Sequence, residues 1–169
     1  MSYKRFSLGR SPYWLLRICL GVVILGAGVG KALDVPGFVA VMRTYELGLS
    51  EETLWPVAAG VILFELGLGS WILSGRRLRV AAQLSAVMHV GYLILLTDAL
   101  RRGLELQNCG CFGVFLARPL EWYTPLEDAA LIAASYGLFY LSGATRRGDR
   151  DVAAEGATDT GSPGVRVRG

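Results

Sequence analysis

Residues 13–33 read YWLLRICLGVVILGAGVGKAL, and this stretch decides the fold. It is apolar from end to end, broken only by Arg17 near its start and Lys31 near its close. A helix of about 20 residues crosses a hydrocarbon core of about 30 Å. Three further stretches match it: 54–73 (LWPVAAGVILFELGLGSWIL), 80–100 (VAAQLSAVMHVGYLILLTDAL) and 126–143 (LEDAALIAASYGLFYLSG). None alternates as a barrel strand does, and an open strand cannot satisfy its backbone in lipid. A soluble bundle would need a polar stripe along each helix, and these stretches carry almost none. The expectation is an all-α polytopic membrane protein, a four-transmembrane-helix bundle.

Composition agrees. Hydrophobic residues make up 53% of the 169-residue chain and charged residues 18%, against about a quarter charged in soluble domains. The mean hydropathy is +0.43. A net charge of +3, carried by short arginine clusters, gives no basic face for nucleic acid. The 22 glycines suit helices that approach closely in lipid. Residues 1–12 read as a cytoplasmic N-terminal segment, 13–143 as the membrane domain, and 144–169 as a polar, glycine-rich tail expected to be disordered.

Basic residues orient the chain. Lys4, Arg5, Arg10 and Arg17 precede or enter the first span; Arg76, Arg77 and Arg79 separate the second and third; Arg146, Arg147 and Arg150 follow the fourth. The other two loops hold Lys31, Arg43, Arg101, Arg102 and Arg118. The excess of positive charge marks the cytoplasmic side. Both termini are therefore expected in the cytoplasm, with loops 34–53 and 101–125 outside. Arg17 interrupts the first apolar run and no small-x-small site precedes Lys31, so the first span reads as uncleaved.

The outer loop between the third and fourth spans carries NCGCFG at 108–113. Cys109 and Cys111 admit three readings: metal ligands, a bracing disulfide, or a redox pair. Zinc wants four ligands, and the single histidine, His89, lies inside a span. A disulfide closed across one glycine makes a tight, strained ring, which suits it to exchange. Exchange and bracing both stay open, with exchange the expectation. Cys19, at the opposite end of the first span, reads as a packed apolar side chain.

Charges inside a membrane mark function or pairing. Glu65 and His89 fall at matching depths on the second and third spans, and a contact between them is expected. Lys31, Asp98 and Asp128 lie near the outer ends of their spans, within reach of the cysteine loop. Lys31 is expected to snorkel outward or pair with Asp34 or Asp98. Arg17 is expected to anchor at the headgroups. Gly26 and Gly30 form a GxxxG step, with Gly21 and Gly28 nearby, which favours close helix packing within the bundle or between subunits.

These pieces resemble a family. The run LRICLGVVILGAGVGKALDVPGFVAVMRTYEL, with its glycine-rich helix, Gly-Lys step and amphipathic stretch ending in tyrosine, is similar to the opening of DoxX-like membrane proteins. FELGLGSWILSG, then NCGCFG, then Trp122 and Asp128 before the last span, resemble the methylamine utilisation protein MauE branch, over about residues 12–143. The resemblance implies a four-helix inner-membrane protein that supports thiol–disulfide exchange. It further implies a thioredoxin-like extracytoplasmic partner and a disulfide-containing client, such as the small subunit of methylamine dehydrogenase. In that reading Cys109 and Cys111 exchange, and any enzymatic activity is that of a thiol–disulfide oxidoreductase. Two alternatives stand: a non-enzymatic scaffold or small-solute transporter, and a quinone-linked oxidoreductase of the DoxX type using Glu65 and His89. The Cys-x-x-Cys of vitamin K epoxide reductase-type enzymes is missing, so the sequence supports no quinone or other cofactor.

Overall fold

The computed structural model describes the backbone of residues 10–159 and the side chains of 12–143. Lys4 and Arg5, with residues 160–169 of the tail, fall outside the described residues, as do the side chains of Arg10, Arg146, Arg147 and Arg150. Five helices are described: α1 (Arg10–Ala32), α2 (Val35–Thr44), α3 (Glu51–Ser74), α4 (Leu78–Arg101) and α5 (Thr124–Asp159). The described residues contain no strand. Three helices, over Pro12–Ala32, Glu51–Ser74 and Leu78–Arg101, are long and apolar enough to cross a membrane. α5 is long enough, but Glu127 and Asp128 in its opening turns and its serines and tyrosines dilute its apolar character.

The helices pair antiparallel. α1 lies along α3 and α4 along α5, while the sequence neighbours α3 and α4 touch much less. One core, built from Leu20, Ile24, Leu68, Ile72, Ala82 and Leu138, joins the two pairs. Outside that core the helices are apolar again: Leu15 and Ile18 on α1, Leu63 on α3, Val87 and Ile94 on α4 are all exposed. Apolar residues buried inside and displayed outside fit a surface bathed in lipid rather than water.

Three expectations change. The loop 34–53 contains a helix, α2, formed by the amphipathic stretch that ends at Tyr45. Asp34 caps it by accepting from the Gly37 N–H at 2.9 Å, Pro36 opens its first turn, and Phe38 and Val39 bury its inner face. The tail expected to be disordered from residue 144 is helical to Asp159, because adding a residue to a formed helix is far easier than starting one. The glycines of α1 divide, with Gly21, Gly28 and Gly30 in close contact and Gly26 not. A side chain at Gly26 would meet nothing within 4 Å, whereas one at Gly28 would press on Glu65 and Leu66, and one at Gly69 would strike the Leu25 backbone at 2.6 Å.

Arg17, expected to anchor at the headgroups, sits at the C-terminal end of α3. Its guanidinium donates to the carbonyls of Ile72 (3.1 Å) and Leu73 (2.5 Å), closing the C-terminus of α3 with a positive charge where the helix dipole favours one. Gly75 follows in the left-handed conformation and returns its N–H to Ile72. Cys19 is exposed on the outer surface of α1, not packed within the bundle.

Candidate functional site

NCGCFG forms a built turn. Asn108 ties it from both ends: its Oδ1 accepts from the Gly110 N–H at 2.9 Å, and its Nδ2 donates to the Gly113 carbonyl at 3.1 Å. Gly110 and Gly113 both sit at φ 72°, a conformation that L side chains rarely tolerate. The Cys109 N–H bonds to the Arg118 carbonyl at 2.8 Å, and the Tyr45 hydroxyl at the end of α2 donates to the Cys109 carbonyl at 2.6 Å.

The turn is seated on α1 by backbone contact. A side chain at Gly30 would lie 2.3 Å from the Phe112 carbonyl oxygen, and one at Gly113 would lie 2.4 Å from the Gly30 oxygen. The Gly-Lys step therefore has a mechanical meaning. Gly30 lets the loop rest directly on the helix, and Lys31 then reaches past it.

Lys31 is 2% exposed, and its ammonium donates three hydrogen bonds: to both oxygens of Glu65 at 2.7 Å and to the Cys111 carbonyl at 2.9 Å. Glu65, 1% exposed, also accepts from the Tyr92 hydroxyl at 2.5 Å. The expected pairings thus give way to another. Lys31 neither snorkels nor pairs with Asp34 or Asp98; it crosses to Glu65. Glu65 is not bonded to His89, whose Nδ1 bonds instead to the Ser85 carbonyl at 2.8 Å. Glu65 does reach α4, but at the Tyr92 hydroxyl one turn beyond His89, while its carboxylate also takes the Lys31 ammonium from α1.

The two sulfurs lie 2.7 Å apart and carry no covalent bond. Cys109 is 6% exposed and Cys111 is half-buried. The hydrogen bond from the Cys111 thiol, helped by the Cys111 N–H (3.4 Å) and the Arg118 charge, draws the Cys109 pKa down to about 6. The same hydrogen bond and burial hold the Cys111 thiol far above the ordinary range. The pair is thus polarised, with Cys109 the readier of the two to ionise. Such a pair can be oxidised by two electrons or can open a disulfide in a partner.

Beside the turn lies a cavity of about 650 Å³, lined by residues of all five helices and by Cys109–Phe112. Its walls are mostly aliphatic and aromatic, with Lys31, Glu65, His89, Tyr92, Glu127 and Asp128 among its polar points. Asp128, 7% exposed, faces the cavity from the first turns of α5, and its charge contributes to raising Cys111. Of the residues expected around the cysteines, Lys31 and Asp128 are there. Asp98 is not: it is exposed and pairs with Arg102 at 2.8 Å. Arg102 in turn donates to the Tyr45 carbonyl at 2.6 Å, so its link to the site is indirect. Tyr45, Tyr92, Asn108 and Arg118 join the site without having been singled out. Asn108 carried a signal, since asparagine before a Gly-containing turn commonly bonds its own backbone two residues on.

Fold and site together define an all-helical membrane protein with a close thiol pair over a cavity inside its bundle. The family model described as methylamine utilisation protein MauE matches residues 10–141, and the chain belongs to that family. Comparison with curated proteins and with solved structures finds no match.

Proposed function

We propose that this protein is a four-span inner-membrane protein whose Cys109–Cys111 pair exchanges disulfides with a thioredoxin-like extracytoplasmic protein, and so supports maturation of a disulfide-containing client. Apolar side chains on the outer surfaces of α1, α3 and α4 favour lipid contact for all three. With α5 as the fourth span, the arginine-rich α3–α4 turn faces the cytoplasm and the cysteine turn faces outside. The family's description points to methylamine utilisation as the process served.

The observation that carries this reading is the asymmetry of the thiol pair. Cys111 keeps accessible surface, while Cys109 is buried and its pKa is drawn down by the Cys111 hydrogen bond. In the oxidised protein a partner thiolate attacks Cys111 Sγ, and the S–S bond breaks to release Cys109 as the leaving thiolate. A low leaving-group pKa speeds that step. The mixed disulfide is then resolved by the partner's second thiol. The partner leaves oxidised, and Cys109 and Cys111 hold the two electrons. A disulfide that merely braces a loop needs no such asymmetry.

Trapping tests the proposal. Cys109→Ser leaves Cys111 free to hold a partner, and a mixed disulfide with a thioredoxin-like protein is the expected product. Cys111→Ser should trap little. Unchanged client disulfide formation in cells carrying both substitutions overturns the proposal and leaves the cysteines as braces.

A further inference from the structure

We infer that the loop following the cysteines inserts Phe115, Leu116, Trp122 and Tyr123 into the headgroup boundary of the lipid leaflet on its side, and so holds Cys109 and Cys111 at the membrane surface. The inference rests on the four-span reading above and goes beyond it, because that reading leaves the whole loop in water.

The side chains are the first warrant. Phe115 and Leu116 are each 64% exposed, and Trp122 is 74% exposed. Between Phe112 and Leu126 the only charged residues are Arg118 and Glu121, and Arg118 is neutralised by its ion pair with Glu127. Trp122 and Tyr123 meet edge to face. Neither the indole N–H nor the phenol hydroxyl has a hydrogen-bond partner among the described residues. Rings with an apolar body and a free polar tip collect where hydrocarbon meets water.

Level is the second warrant. A side chain at Gly137 of α5 would meet Leu16 of α1 at 3.2 Å, so Tyr140 falls beside the Tyr13–Trp14 step near the start of α1. Trp14 and Tyr140 are both exposed, and they mark one edge of the apolar band. From Trp14, Gly30 is sixteen positions along α1, about 24 Å. From Tyr140, Tyr123 is seventeen positions back, about 26 Å. With the reach of the rings added, both counts come close to a hydrocarbon core of about 30 Å. The cysteine turn, which rests on Gly30, and the Trp122–Tyr123 step therefore share the other edge.

The course of the chain is the third. The Leu120 N–H donates to the Leu106 carbonyl and the Cys109 N–H to the Arg118 carbonyl, both at 2.8 Å, and these bonds close the base of the loop. Phe112 rests on Gly30, and Val114 rests on Gly37 at the start of α2. The chain thus stays down on the bundle, at the end of α1 where Val29 and Leu33 are also exposed. A neutral apolar patch at this level, rimmed by tryptophan and tyrosine, suits lipid. A water-soluble partner must then reach the cysteines at the membrane surface and not above it.

Tryptophan quenching tests this with the full chain in nanodiscs, using phospholipid brominated near the headgroup end or near the far end of its acyl chains. Trp122 is read as the difference between the native protein and Trp122→Phe. The tip is read as the emission that Leu116→Trp adds to the Trp122→Phe protein, with Phe115→Trp in its place should that variant fold poorly. Both should lose most of their emission to the shallow bromine, less to the deep one, and little to acrylamide in the water. A tip that acrylamide quenches and brominated lipid does not overturns the inference and leaves the patch to a protein partner. Protection from both quenchers that grows with the number of chains per disc makes the patch a contact between copies, and overturns it as well. Ala133→Trp, at an exposed position of α5 ten residues past Tyr123, checks the reading beneath. Quenching there by the deep bromine upholds α5 as a span; its absence removes the span and the inference together. Disulfide exchange enters none of these readouts, so a tip found in water leaves the exchange proposal standing.

Discussion

Two helix pairs build this bundle, and they are joined by different chemistry. α1 and α3 are locked by charge: Lys31 on Glu65 at one end, Arg17 on the α3 carbonyls at the other. α4 and α5 are joined by hydroxyls, Ser85 to Ser135 at 2.9 Å, and by the Arg79 guanidinium 4.4 Å over the Phe139 ring. A buried ion pair is expensive to desolvate and is easily replaced by apolar contact, so stability alone gives little reason for Lys31 and Glu65. Their position gives a better one: the pair holds the cysteine turn by its carbonyl at the rim of the cavity. The first pair of helices carries the site's electrostatics, and the second closes its far wall.

Substitutions can break that contrast. The largest effect is expected for Lys31→Met, which leaves Glu65 buried without its cation and should cost about 3–5 kcal/mol of stability. Denaturant titration in detergent measures it. Adding Glu65→Leu should recover most of the loss while leaving the cysteine turn unanchored; if the double variant is as unstable as the single one, the pair is not a unit.

Next is the thiolate. As pH rises through about 6, Cys109 should ionise while Cys111 stays protonated, so thiolate absorbance of the reduced protein should climb through that midpoint. Cys111→Ala removes the donor, and the midpoint should return toward the ordinary value of about 8.5. A midpoint that does not move would show that Arg118, not Cys111, sets the titration.

Gly30→Ala comes third. Its added carbon meets the Phe112 carbonyl, and the loop must lift from α1; overpacking of this kind costs roughly 1–3 kcal/mol. The effect should be local, seen as faster alkylation of the cysteines before any change in the global melt. The smallest change is expected on the other helix pair. Ser135→Ala removes one hydroxyl from Ser85 and should cost about 0.6 kcal/mol, the average for such bonds between membrane helices. A loss comparable to that of Lys31→Met would erase the contrast between the two pairs.

The sequence made the apolar helices legible because hydropathy reports burial in lipid directly. It also brought out NCGCFG, Lys31 and Asp128 as one neighbourhood, since all three lie at one end of the spans. Pairing across helices was not legible. Depth can be counted along a span, but rotation about its axis cannot, and Glu65 at the right depth for His89 faced Lys31 instead. α2 was hidden for another reason: ten residues are too few to register as a span, and the stretch reads as a loop until its buried Phe38 and Val39 are seen. Tyr45 and Tyr92 were ordinary aromatics until their hydroxyls found the Cys109 carbonyl and Glu65.

The charges on α1 also impose an order on biogenesis. A ribosome delivers α1 first, and Arg17 and Lys31 enter the membrane region before their counterparts exist. Glu65 lies 34 residues beyond Lys31, and the Leu73 carbonyl lies 56 beyond Arg17. Through that interval Arg17 and Lys31 are without the partners they have in the folded bundle. The arrival of α3 satisfies both in one step. The partners of both cations lie on α3, and the seat for the cysteine turn is encoded ahead of the turn itself.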